Sequence, residues 1–163
     1  TYGSGPVIFF GEKGSNLFAD LHAWRDALDF AGANEMRFLR YLIESRPMLD
    51  RVPDQGMLIG EAGNAPERIQ ATQGKDYAFI YSAYGRPITV NLGKITGKKV
   101  NANWFDPRTG SSRYIGTYDN VTSQTFTPPL PKRSPVPTQR EDWILVIDDA
   151  EKNYAMPVIP WIP

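Results

Sequence analysis

The stretch Lys98-Lys99-Val100-Asn101-Ala102-Asn103-Trp104-Phe105-Asp106-Pro107-Arg108-Thr109-Gly110-Ser111-Ser112-Arg113-Tyr114-Ile115-Gly116 reads as a β-hairpin. Val100, Ala102 and Trp104 alternate with Asn101 and Asn103, the period of a strand with one buried face. The run stops at a turn with a physical cause. Pro107 presets φ, the Asp106 side chain can bond backbone two residues on, and Gly110 supplies the positive φ from which a return strand begins. Tyr114 and Ile115 lie in that return.

Outward from the hairpin, short apolar runs separated by turn residues repeat in both directions. Strands are expected over 68–73, 77–84, 88–92, 98–105, 112–118, 124–127 and 143–148, the spacing of an antiparallel sandwich of about seven or eight strands. Gly74-Lys75-Asp76 and Tyr84-Gly85-Arg86-Pro87 read as hairpin connections. Within Tyr77 to Ser82, Tyr77, Phe79 and Tyr81 share one face and Ala78 and Ile80 the other, so both faces are expected to be covered. The Pro-rich segment 128–140 is too poor in backbone donors for a ladder and reads as an extended loop, with docking to an SH3-type partner as the alternative. The apolar tail from Tyr154 to Pro163 either packs back on the protein or belongs to an interface.

Upstream the periodicity changes. Leu17, Leu21, Trp24 and Leu28 form one face of a helix expected over 16–29, which Gly32 would break. A second helix is expected over 34–45, with Asn34 as its N-cap, Glu35 in its first turn and Arg46-Pro47 as its stop. Met36, Leu39 and Ile43 form its stripe, and Phe38 and Leu42 widen it. The prolines and glycines between 47 and 66 mark a boundary, giving units of residues 1–52 and 53–163. The run Val7 to Phe10 fits the end of a buried strand or an ordered loop equally well.

Composition narrows the chemistry. Eighteen basic and eighteen acidic residues balance to zero and are interspersed, which argues against a nucleic-acid or anionic-membrane partner. With no cysteine there is no disulfide framework, thiolate zinc site or thiol nucleophile. No apolar run approaches the roughly 20 residues of a membrane helix. His22 is the sole histidine and fits a structural or surface role. The carboxylates of Glu12, Asp20, Asp26, Asp29, Asp148 and Asp149 are candidates for acid–base work on a glycosidic bond, which needs two carboxyl groups roughly 5 to 10 Å apart, but helix-surface carboxylates are ordinarily solvated. The glycines at 56, 60 and 63 match no phosphate-binding spacing. Tyr2, Phe9, Trp24, Tyr84 and Tyr118 could stack on sugar rings if exposed, or pack in a core. No cofactor or metal is expected.

The strings Tyr77–Leu92, Lys98–Val100, Trp104-Phe105-Asp106-Pro107-Arg108-Thr109-Gly110, Thr125–Pro129 and Asp142–Asp148 resemble the C-terminal β-sandwich of the apiosidase-like glycoside hydrolases, whose catalytic barrel is of the DUF4038 type. That sandwich is labelled as the collagen-binding domain of a collagenase. Upstream, Thr1-Tyr2-Gly3, Trp24–Asp29 and Met36–Pro47 resemble the last strand end and closing helices of the (β/α)8 barrel. The resemblance implies an accessory sandwich joined to an incomplete barrel. Its partners would be the upstream catalytic polypeptide and a carbohydrate, and the parent would be secreted, extracellular or periplasmic. It implies that the catalytic carboxylates lie outside this chain, which alone would be inactive. Tyr2, Gly3 and Ser4 would line the sugar cleft at the C-terminal end of the last strand. Where family members commonly carry a histidine and a tryptophan, this chain reads Ser4-Gly5-Pro6. The alternative is a non-catalytic module that binds carbohydrate or collagen. Aromatics exposed in a row would favour binding, and aromatics buried against the helices a structural role. Thr1 in place of methionine points to a processed or excised piece, and residues 1–50 are expected to pack on the sandwich, pair with a second copy or need upstream polypeptide.

Overall fold

The computed structural model describes residues 31–64, 67–129 and 141–157. Eight strands run in the order β1 (Val52–Pro53), β2 (Ile69–Gln73), β3 (Tyr77–Ser82), β4 (Ile88–Asn91), β5 (Lys99–Asp106), β6 (Ser111–Asp119), β7 (Ser123–Phe126) and β8 (Trp143–Asp149). They form a six-stranded sheet ordered β1-β2-β3-β8-β5-β6 and a two-stranded sheet β4-β7, with every pairing antiparallel. One helix, α1 (Ala31–Glu44), precedes them. The mainly β, sandwich-like architecture expected from the hairpin and its spacing is the one observed.

The organising turn forms as its residues dictate. The backbone N–H of Arg108 donates to Asp106 Oδ1 at 2.9 Å, Gly110 N–H donates to the Asp106 carbonyl at 2.8 Å, and Gly110 has φ of 67°. The β5–β6 register then shifts between Ala102 and Asn103, where Gly116 and Tyr114 are the successive partners and Ile115 is the extra residue of a bulge. Gly74 to Asp76 is the expected hairpin connection between β2 and β3.

Tyr84 to Pro87 is not a hairpin. β3 pairs with β2 and β8, whereas β4 crosses to the second sheet and pairs with β7. The segment still turns the chain, with Gly85 at φ of 57° and Arg86 N–H donating to Ser82 Oγ at 2.9 Å, but it joins strands of different sheets. What sends β4 across is burial. Ile88 and Val90 join the core between the sheets.

Alternation sorts the large sheet into two apolar faces. Ala78, Ile80, Val100, Ala102, Trp104, Leu145 and Ile147 point between the sheets, with Ile88, Val90 and Phe126 opposite them. Tyr77, Phe79, Phe105, Ile144 and Val146 point the other way and meet Phe38 and Leu42 of α1. β3 is therefore covered on both faces, as its composition anticipates. Loops are pinned by side chains. Buried Asn120 accepts from Gly93 N–H at 2.7 Å and donates to the carbonyls of Ile95 and Gly97 at 2.8 Å, shaping the β4–β5 connection.

The helix differs from expectation at its beginning. Asn34 lies within α1 rather than capping it, and Gly32 is helical rather than a break. Glycine costs a helix only about 1 kcal/mol relative to alanine, less than the burial of Phe38 and Leu42 returns.

Candidate functional site

The outer face of the large sheet is where the helix, the strands and the chain's C-terminal segment converge. Its anchor is Arg46, immediately past the end of α1. Arg46 Nε donates to Asp148 Oδ1 and Nη2 to Asp148 Oδ2, both at 2.7 Å, and the two side chains are 1% and 4% exposed. Two of the three remaining N–H groups are also used. Nη1 bonds the Ser45 carbonyl at 2.8 Å and Nη2 the Ala155 carbonyl at 3.0 Å, while the guanidinium lies 4.4 Å from the centre of the Tyr154 ring. Tyr154 in turn donates to Asp76 Oδ1 at 3.0 Å. One side chain thus ties α1, β8 and the C-terminal segment together. Only a planar five-donor group fills that role.

Tyr77 completes the seam by donating its hydroxyl to the Pro47 carbonyl, and its ring packs 5.1 Å from Phe79. Ser112 Oγ donates to the Pro157 carbonyl at 2.6 Å, so residues 154–157 of the apolar tail pack back across the sheet toward β6. Residues 158–163 lie outside the described residues.

Desolvation pushes the Asp148 carboxyl above the usual carboxylate range, and Arg46 pulls it part of the way back. A carboxyl with a raised native pKa keeps a proton that the unfolded chain has released. Its contribution to stability is complete below the unfolded value of about 3.9 and falls as the pH rises through the native one. The stability difference between the wild type and Asp148→Asn is expected to shrink in favour of the variant from about pH 3 to about pH 6 in urea titrations. A difference that grows over that interval would mean that Arg46 outweighs burial. Tyr154 is pushed up to about 12 by burial first and its bond to Asp76 second.

Beside α1 the described residues leave the outer face unfilled. Met36, Leu39 and Ile43 are only half-buried, and with Phe79, Tyr81 and Ile144 they line a groove of about 360 Å³. Arg51 stacks 5.2 Å from the Phe79 ring at the groove wall, and its Nη1 is buried without a hydrogen-bond partner among the described residues. Next to it, Met48 and Leu49 are 50% and 91% exposed. The stripe read from the sequence therefore splits. Phe38 and Leu42 seat the helix, while Met36, Leu39 and Ile43 face a groove that is open among the described residues.

Tyr2, Gly3 and Ser4 lie outside the described residues, as do the helix expected over 16–29, His22, Glu12, Asp20, Asp26, Asp29, Phe9 and Trp24. Asp148 and Asp149 lie inside them and are structural. Asp148 serves Arg46, and Asp149 accepts from Thr96 Oγ1 at 2.8 Å and Glu151 N–H at 3.0 Å. Tyr118 packs edge-on against Phe126 at 5.2 Å, and Tyr84 is half-buried. Sequence reasoning treated Arg46 only as a helix stop. Its signal, an arginine at a helix C-terminus facing an acid in a buried strand, exists only once the two segments meet.

The solved structures that resemble this chain include two glycoside hydrolases. One is named "Glycoside hydrolase" and superposes with a TM-score of 0.73 at 34% identity, covering 91% of this chain and 32% of its own. The other is a glycoside hydrolase family 5 protein from Bacteroides vulgatus ATCC 8482, with a TM-score of 0.72 at 34% identity, covering 86% of this chain and 29% of its own. The chain thus spans about a third of the length of these relatives. No curated protein matches it. Residues 52–148, from β1 into β8, match the family described as "Putative collagen-binding domain of a collagenase", and the chain belongs to that family.

Proposed function

We propose that this chain is the C-terminal accessory part of a glycoside hydrolase of the apiosidase-like, DUF4038-type group. Its sandwich supports a catalytic barrel whose carboxylates lie on upstream polypeptide. In this reading residues 1–52 belong to the barrel and 53–163 to the sandwich. Tyr2, Gly3 and Ser4 are candidates for lining the sugar cleft, and the parent acts outside the cell or in the periplasm. The observation that carries the reading is the groove on the outer face, with the unburied helix stripe Met36, Leu39 and Ile43 on one wall and Phe79, Tyr81 and Ile144 on the other. An apolar face of this kind calls for a covering surface. The unpartnered Arg51 Nη1 suits a backbone carbonyl brought by that cover. The two solved relatives extend over more than twice the length of this chain, which leaves room for such an upstream body. The sheet's aromatics favour support over binding, since Tyr77, Phe79 and Phe105 are buried against α1.

The test uses the full-length parent. Leu39→Glu is expected to split its single thermal unfolding transition into two and to shorten the half-life of polysaccharide hydrolysis at elevated temperature, with the initial rate unchanged. One unaltered transition with an unaltered half-life would refute the docking role. A wild-type parent that hydrolyses no polysaccharide would refute the hydrolase assignment separately.

A further inference from the structure

We propose that the cleft at the turn of the β5–β6 hairpin is a binding site for an uncharged sugar unit of an oligosaccharide. The cleft has a volume of about 520 Å³ and lies between the turn and the beginning of β8. Pockets for small ligands run from about 300 to 1,000 Å³, and this one has room for one or two sugar rings.

Its centre is an ion-pair triad with fixed geometry. Arg108 Nε donates to Asp106 Oδ1 at 2.8 Å, and Nη1 reaches Glu141 Oε2 at 3.0 Å. The guanidinium lies 5.2 Å from the centre of the Trp143 ring, and Trp143 is itself held edge-on against Trp104 at 6.3 Å. Each member is fixed through one set of atoms and leaves another without a partner among the described residues: Asp106 Oδ2, Glu141 Oε1 and Arg108 Nη2. All three side chains are partly exposed, at 14%, 31% and 27%. The turn therefore presents acceptors on either side of a donor, already oriented before anything binds.

Hydroxyl groups both donate and accept, so a row of them can satisfy such an array where a purely anionic or cationic ligand cannot. Asp106 and Glu141 are matched by Arg108 and Arg113, and Asp142 adds a further negative charge that acts on Arg108, so the local field opposes an anionic sugar. Trp143 and Pro129 add the apolar wall that the C–H face of a sugar requires. Arg113 is exposed, and its side chain has no hydrogen bond or ion pair among the described residues, so it is available to a ligand.

The experiment is a ¹⁵N NMR titration of the whole chain, with the Trp143 indole N–H assigned through Trp143→Phe. Neutral xylo-, manno-, galacto- and arabino-oligosaccharides are the probes. A galacturonate trisaccharide and a triple-helical Gly-Pro-Hyp peptide represent the competing classes. At least one neutral oligosaccharide is expected to shift the Trp143 indole and the amides of residues 106–113 saturably. Glu141→Ala and Arg113→Ala are each expected to weaken it about tenfold with unchanged thermal unfolding. Because the exposed Arg113 side chain has no hydrogen bond or ion pair among the described residues, its variant reads binding even if Glu141→Ala loosens the turn. The assignment is overturned if no neutral oligosaccharide shifts these signals, if neither variant weakens the binding, or if the galacturonate or the triple-helical peptide binds there in preference.

Discussion

Arg46→Ala is expected to lower the unfolding free energy of the chain by about 3–5 kcal/mol, measured by urea denaturation. The size of the loss comes less from the attraction removed than from what is left behind. Asp148 would remain buried with neither of its oxygens paired, and the carbonyls of Ser45 and Ala155 would lose their donor. The loss should be larger at pH 8 than at pH 5. Without Arg46, desolvation and the charge of Asp76 act unopposed on Asp148, its native pKa rises further, and protonation relieves the unpaired charge only while the pH stays below that value. Arg46→Lys should recover only part, since a point charge cannot occupy both carboxylate oxygens and the carbonyls in one plane. The double replacement Arg46→Met with Asp148→Leu should be less damaging than Arg46→Ala alone, because a buried ion pair replaced by apolar groups of similar volume is often neutral. A loss below about 1 kcal/mol for Arg46→Ala would mean that the helix is held by Phe38 and Leu42 instead.

That pair also marks the limit of what the sequence discloses. Arg46 and Asp148 are 102 positions apart, and each has a sufficient local explanation, one as a helix stop and the other as an acid after an apolar strand. Interactions that close within a few residues were legible. Asp106, Pro107 and Gly110 declared their turn, and the alternation of β3 declared two covered faces, whereas β5 read as half-buried although Asn103 and Phe105 are buried on its other face. The choice of sheet for β4 was not legible, because Gly85 and Pro87 specify a reversal and not its destination. Nor was Asn120, whose four bonds converge on a loop 23 to 27 residues away. At the candidate docking face, the stripe Met36, Leu39 and Ile43 could be read from periodicity alone. Its separation from Phe38 and Leu42 could not, since periodicity gives the width of an apolar face and not how much of it a neighbour covers.

Trp104→Ala is expected to destabilise the chain by about 3–5 kcal/mol, the range for truncating a large buried aromatic. Trp104 is 3% exposed in the core between the sheets and sits on β5 directly opposite Leu145 of β8 and Arg113 of β6. It is also the residue that holds Trp143 edge-on. Truncation would empty the volume of a large ring in the core cluster that also holds Ile80, Leu145 and Ile147, and both sheets are tied by their ladders and cannot readily close on the space. Trp104→Phe should cost much less, since it leaves a ring to fill most of that volume. The two variants should differ in a second signal. Near-ultraviolet circular dichroism from Trp143 should collapse in Trp104→Ala, whose indole loses its support, and persist in Trp104→Phe. A loss under about 0.5 kcal/mol for Trp104→Ala would place the ring at the surface and move the centre of the core away from β5. A large loss with an unchanged Trp143 signal would instead mean that Arg108 and the turn hold Trp143 unaided, so that the cleft beside it keeps its shape independently of the core beneath.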